Sequence, residues 1–153
     1  MRESDGDWHH LSGQIVNGEH RLPIRVYYED TDFTGLVYHA SYLRFMERGR
    51  SDFIRLLGID QGELFEQTAQ EALGFHFVVR SMKLDFFRPA RVDEVIEVVT
   101  KPGEVGGASI ILKQEVVRDG QILVAADVRI AFVADDKPLR IPASLRKALR
   151  ADE

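Results

Sequence analysis

Tyr38-His39-Ala40-Ser41-Tyr42-Leu43-Arg44-Phe45-Met46-Glu47-Arg48-Gly49-Arg50-Ser51-Asp52-Phe53-Ile54-Arg55-Leu56-Leu57 is the longest helical pattern in the chain. Tyr42, Phe45, Met46, Gly49, Phe53, Leu56 and Leu57 recur every three or four residues, which predicts one apolar stripe on a helix of about four to five turns. Arg44, Glu47, Arg48, Arg50 and Asp52 fall off that stripe or at its edge, and Gly58 suits the position that ends such a helix. Upstream lies Tyr28-Glu29-Asp30-Thr31-Asp32-Phe33-Thr34-Gly35-Leu36-Val37, a carboxylate-rich loop with one glycine. A loop that brings Asp and His to a helix start sets acid/base groups beside backbone N–H donors that lack intrahelical partners.

Outside this segment the patterns are mostly strand-like. Ile24, Val26 and Tyr28 alternate with Pro23, Arg25 and Tyr27, predicting a first strand from Leu22 to Tyr28. Gly62 to Gln70 reads as a short second helix or an ordered loop. Apolar runs follow at Phe75–Phe87, Val92–Thr100, Ala108–Val117 and Ile122–Val133, with a Pro/Gly loop from Lys101 to Gly107. Asp119-Gly120 between the last two runs is a hairpin signal. Leu139 to Arg150 reads as a basic, helical tail. Strand, long helix, then four strands without alternation predicts an α+β fold, an antiparallel sheet of about five strands packed on one central helix. The sheet is expected to dimerise. The expected divisions are an N-terminal extension over 1–20, one domain over 21–135 and a tail over 136–153.

Composition narrows the function. The 153 residues carry a net charge of −5, which gives nucleic-acid binding no electrostatic support. There is no cysteine, so a thiolate nucleophile, a Cys-ligated metal and a disulfide framework are excluded. Residues 1–20 hold no signal-peptide core, and no apolar run approaches the ~20 residues of a membrane span. A soluble cytoplasmic protein is expected.

Among candidate side chains, Asp32 is set apart by position. Its plainer reading is a solvated loop acid in an Asx turn, but Gly35 follows three residues later and the helix soon after. Glu29 and Asp30 read as structural neighbours. A neutral imidazole is favoured for His39 at a helix start and can transfer protons near neutral pH. The His39 backbone N–H can polarise a carbonyl independently of the ring. Glu47 is a rival base, but its plainer role is an ion pair with Arg44 or Arg50. Tyr28, Tyr38 and Tyr42 suit core or pocket walls. His76 reads as a core or interface histidine. His9, His10 and His20 have no ligand spacing, so no metal site is expected. Ser41 and Ser51 lack a nucleophile-elbow pattern.

The stretch Tyr28 to Arg50, with Arg80-Ser81-Met82 and Phe87-Arg88-Pro89-Ala90-Arg91, closely resembles the hotdog-fold acyl-CoA thioesterases. Within them it is most similar to the Tol–Pal-associated subgroup of the 4-hydroxybenzoyl-CoA thioesterase family. The resemblance runs from Ile24 to Phe132. It implies a long helix wrapped by an antiparallel sheet, and hydrolysis of acyl-CoA to free acid and coenzyme A. The implied assembly is a homotetramer, a dimer of dimers with active sites at the dimer interface. Asp32 falls on the catalytic aspartate of the family, accompanied by Tyr28 and His39. A tyrosine stands at the position of His39 in the 4-hydroxybenzoyl-CoA enzymes, which turns the expectation away from an aromatic acyl group. Gly35 and Tyr38 are then expected at the substrate, and Arg88 and Arg91 against coenzyme A phosphates. No cofactor is implied, since coenzyme A belongs to the substrate; an acyl carrier protein or an envelope complex is a candidate partner. Two other readings stand beside this one. The first is a hydratase or dehydratase using His39 and a carboxylate, the second a non-catalytic acyl-binding module. Asp32 acts either as nucleophile or as general base.

Overall fold

Alternation in the last long strand sets up the sheet. Val124, Ala126, Val128, Ile130, Phe132 and Ala134 all point into the core, as period-2 geometry requires of a half-buried strand. The computed structural model describes residues 11–57 and 76–150. In chain order the elements are β1 (Gln14–Val16), β2 (Glu19–Arg25), α1 (Ser41–Leu56), β3 (His76–Phe86), β4 (Val95–Val105), β5 (Ser109–Arg118), β6 (Gln121–Ala134), β7 (Lys137–Pro138) and α2 (Ala143–Leu149). Gly58, the element expected over residues 62–70, His9, His10 and the side chain of His76 lie outside the described residues.

The strands form one seven-stranded antiparallel sheet in the order β1-β2-β4-β5-β6-β3, with β7 paired to β6. This is the expected α+β hotdog arrangement, with β2 to β6 as the long strands and α1 lying across them. The Asp119-Gly120 hairpin forms with both residues at positive φ, the geometry that matches strand twist in a two-residue turn. Asn17-Gly18 makes the same kind of turn between β1 and β2. Among the described residues the sheet therefore begins at Gln14, inside the stretch set apart on sequence as an extension, and α2 buries Leu145 and Leu149 in the same core.

Three local expectations are corrected. The strand expected first, over Leu22 to Tyr28, is β2 and ends at Arg25, and Tyr28 sits in a 3-10 turn, Tyr28–Asp30. The Asp30 carboxylate accepts the Tyr27 N–H there at 2.9 Å, which closes the turn. Second, β4 runs through Pro102 and Gly103 to Val105 instead of ending in a loop. Pro102 still pairs with Leu112, a register shift follows between Pro102 and Val105, and a Cβ on Gly103 would lie 2.9 Å from the Ile111 carbonyl oxygen. Third, Arg50 and Asp52 are buried on α1. Asp52 lies seven residues after Phe45, about two turns along the same face.

Both buried groups are hydrogen-bonded. Arg50 Nη1 donates to Gln114 Oε1 at 3.0 Å, and Gln114 Nε2 donates to the Met46 carbonyl and to Thr100 Oγ1. Asp52 Oδ2 accepts from His20 Nε2 at 2.7 Å and from the Gly13 N–H at 2.8 Å, while Oδ1 accepts from Arg55. His20, fully buried and stacked on Phe53, thus ties β2 to α1.

At its centre α1 approaches the sheet through Gly49. A Cβ there would meet Val98 Cγ1 at 2.7 Å, Thr100 Oγ1 at 3.2 Å and Gln114 Nε2 at 3.3 Å.

Gly49→Val is expected to cost about 3 kcal/mol, a fall of about 6–12 °C in Tm, because overpacking outweighs any helix-propensity gain over glycine. Calorimetry of the two proteins reads this directly. Asp52 generates an acid-dependence. Burial alone would raise its carboxyl, but the His20 hydrogen bond, the Gly13 N–H and Arg55 outweigh it and hold it below its usual value. The unfolded chain therefore takes up this proton first as pH falls, so the stability it contributes is complete above its unfolded pKa of about 4 and is lost below that. Asp52→Asn should lower stability at pH 7 and flatten the decline below about pH 4 in denaturant titrations.

Candidate active site

The site loop is built by local hydrogen bonds and held by a segment more than fifty residues away. Thr31 pairs with Val37 and Leu36 with Arg91. The Asp32 N–H donates to the Leu36 carbonyl at 2.9 Å, and the Gly35 N–H to the Asp32 carbonyl at 3.1 Å. Asp32 to Gly35 is thus a β-turn, with Asp at its first position and Gly at its last, where those residues are favoured. Gly35 has φ +82 and open space around its Cα, so backbone conformation and not crowding demands a glycine. Phe33, at the tip, is fully exposed.

Asp32 is exposed, and its Oδ1 accepts two hydrogen bonds from one residue, the Thr34 N–H at 2.8 Å and the Thr34 hydroxyl. The hydroxyl first, then the N–H, hold this carboxyl below the usual carboxylate value. Donors that favour the charged form keep it ionised at neutral pH.

The holding segment is Arg88 to Glu94. The Val37 N–H donates to the Ala90 carbonyl and the Val92 N–H to the Gly35 carbonyl, each from the far side of the loop. The Ala90 N–H donates to the Tyr42 hydroxyl at 2.9 Å, joining the segment to α1. Burial raises the Tyr42 phenol, which is therefore neutral. Glu94 Oε1 accepts the Arg91 N–H at 2.7 Å and Arg118 Nη1 at 2.8 Å, while Arg118 also reaches the Pro89 carbonyl.

His39 precedes the helix more closely than it opens it. The Ser41 N–H donates to the Tyr38 carbonyl at 2.8 Å, so that turn places the N-cap at Ala40 and the helix at Ser41. The His39 N–H donates to no group among the described residues. Its ring is exposed and tilted on Tyr38, centroids 4.4 Å apart.

Val37, His39, Tyr42, Phe86, Phe87, Arg88 and Pro89 line an open cleft of about 280 Å³. Its walls are apolar, with one imidazole and one guanidinium. Of the residues expected at the site, His39 and Arg88 share this cleft. Asp32 and Gly35 stand in the adjoining turn, and Arg91 pairs beside them. Tyr38 packs on His39. Tyr28 is exposed in its 3-10 turn, where its carbonyl accepts from Thr31. Sequence reading missed Thr34, Glu94 and Arg118, and it took Tyr42 only as a wall. A hydroxyl two residues after an aspartate is a local signal that would have found Thr34. Among the described residues no group of three or more His, Cys, Asp or Glu is placed to hold a metal. No described helix is long and apolar enough to cross a membrane.

Comparison with known proteins gives consistent matches. The family profile described as "Thioesterase superfamily" matches residues 34–125. The chain is 39% identical over 129 residues to the acyl-CoA thioesterase YbgC of Haemophilus influenzae, covering 83% of this chain and 91% of that one. Among solved structures, a probable thioesterase from Bartonella henselae superposes with TM-score 0.74 at 39% identity, over 81% of this chain and 99% of the other. The 4-hydroxybenzoyl-CoA thioesterase of Pseudomonas sp. strain CBS-3 superposes with TM-score 0.72 at 20% identity, over 85% and 98%. That last likeness speaks to the fold alone.

Proposed function

The chain belongs to the thioesterase superfamily, and on that footing we propose that it hydrolyses acyl-CoA thioesters to a free carboxylic acid and coenzyme A. The observation that carries this reading is an exposed, ionised Asp32 in a turn tied to residues 90–92, followed closely by His39, whose amide has no partner among the described residues, just ahead of α1. The curated relative from Haemophilus influenzae is itself named an acyl-CoA thioesterase.

The thioester carbonyl oxygen binds the His39 N–H, which stabilises the negative charge that develops there. Asp32 Oδ2 then works in one of two ways. It attacks the carbonyl carbon, expelling the coenzyme A thiolate to leave an acyl–aspartate anhydride that water opens. Alternatively it takes a proton from water, whose oxygen attacks instead. Both routes break the C–S bond, form a C–O bond and consume one water. The departing thiolate takes its proton from solvent, relayed through the His39 imidazole, which accepts at one ring nitrogen as it donates from the other. Tyr28 borders the loop that carries Asp32, and Tyr38 supports the His39 ring.

The acyl group enters the apolar cleft against Val37, Tyr42, Phe86, Phe87 and Pro89, where burial of its methylenes supplies binding energy. Arg88 and Arg91, both exposed, meet the phosphates of coenzyme A. No further cofactor is required, because coenzyme A arrives as part of the substrate. The working assembly is a homo-oligomer, a tetramer built from two dimers. Supporting this, β3 is an eleven-residue strand at one end of the sheet order, an edge that natural sheets cover or pair.

Thiol release measured colourimetrically from short, long and aromatic acyl-CoAs should detect turnover by the wild type. In the same assay Asp32→Asn is expected to retain less than a tenth of kcat, a loss exceeding about 1.4 kcal/mol, with an unchanged melting temperature. Retention above that level excludes Asp32 as the main catalytic group. His39→Ala should reduce kcat more moderately, by about ten- to a hundredfold, since the backbone amide survives. Abolition by His39→Ala with Asp32→Asn active would instead favour a hydratase-type reaction.

A further inference from the structure

We infer that Thr34 is the positioning residue of the reaction, holding one oxygen of the Asp32 carboxylate so that the other is presented to the substrate. This rests on the reading of Asp32 as the reacting carboxylate. The geometry is specific. Both Thr34 donors, N–H and hydroxyl, converge on Oδ1. No hydrogen bond to Oδ2 is formed among the described residues, and beyond Thr34 only the Leu36 N–H adds a weaker pull on the carboxylate. The backbone on either side is fixed by the Asp32 N–H to Leu36 and the Gly35 N–H to Asp32, so the side chain has a rigid base. A β-branched residue has few χ1 choices, which further orients the hydroxyl.

A purely structural role is a poor explanation of these bonds. Asp32, Phe33 and Thr34 are all exposed, and hydrogen bonds on a surface turn compete with water and add little to global stability. Their effect is local instead. They select one carboxylate rotamer, and they favour its ionised form. Asp52 makes the contrast, because both of its oxygens are occupied by donors from three residues. Asp32 alone of the two keeps an oxygen free to react.

Thr34→Val tests this, since it keeps size, branching and the backbone N–H while deleting the hydroxyl. The expected result is a fall of about tenfold in kcat with KM within about twofold, the pattern of a misoriented reacting group. The acid limb of the kcat–pH profile should also move upward, toward the ordinary carboxylate value. Glu29, Asp30, His39, Arg88, Arg91, Asp93 and Glu94, the titratable or charged groups on the segments around the loop, are unaltered by the substitution, so a moved limb reports the lost hydroxyl. Thr34→Ser should restore both rate and limb. An unchanged rate and limb in Thr34→Val overturns the inference, as does an equal loss in Thr34→Ser. A loss of rate accompanied only by a lower Tm, with the limb fixed, also overturns it. Asp32→Asn assayed in parallel separates the two claims. If it is inactive while Thr34→Val behaves as wild type, only the role of Thr34 fails. If it stays active, the assignment of Asp32 fails with it.

Discussion

The absence of a side chain at Gly49 is the constraint on which the rest depends. With a Cβ 2.7 Å from Val98 Cγ1, α1 could not keep this close a seat on β4 and β5 without displacing its neighbours. That contact places Met46 over Gln114, whose amide bridges the Met46 carbonyl, Thr100 and Arg50. A buried polar network of this kind is worth having only when its members are satisfied, and each bond here also fixes the helix's rotation. Rotation in turn aims Tyr42 at the Ala90 N–H and puts the Tyr38–Ser41 turn, with His39 inside it, beside the cleft.

Two carboxylates illustrate how environment separates structure from chemistry. Asp52 is buried, and His20, Gly13 and Arg55 consume its accepting capacity. It is a joint between β2 and α1. Asp32 stands in water on a turn and is held ionised chiefly by Thr34, which occupies one of its two oxygens. The same depressed acidity therefore signals opposite roles, and the number of free lone pairs decides between them. Around Asp32 the framework is supplied at a distance, through the half-buried Glu94–Arg118 pair that braces residues 89 to 91.

Much of the fold was legible because its signals are local. The stripe from Tyr42 to Phe53, the alternation of β6 and the Asp119-Gly120 turn each appear within a few residues. The Asn17-Gly18 turn is equally local, but β1, one of the two strands it joins, is only three residues long and carries no alternation to read. Asp52 was misread because a charged residue was assumed to lie off the stripe, although its spacing from Phe45 places it on the buried face. Asp32, Gly35 and His39 stood out by proximity to the helix. The cleft did not, since it unites Val37 and Tyr42 with Phe86 to Pro89, and nothing short of the folded sheet brings those segments together.

A crystal structure of the wild-type protein bound to a non-hydrolysable acyl-CoA ketone analogue tests the central claim most directly. The expected complex has the carbonyl oxygen on the His39 N–H, with Asp32 Oδ2 about 3–3.5 Å from the carbonyl carbon. The acyl chain lies between Val37, Tyr42 and Phe86. A carbonyl seated against Glu47, or out of reach of Asp32 in every subunit, would contradict it.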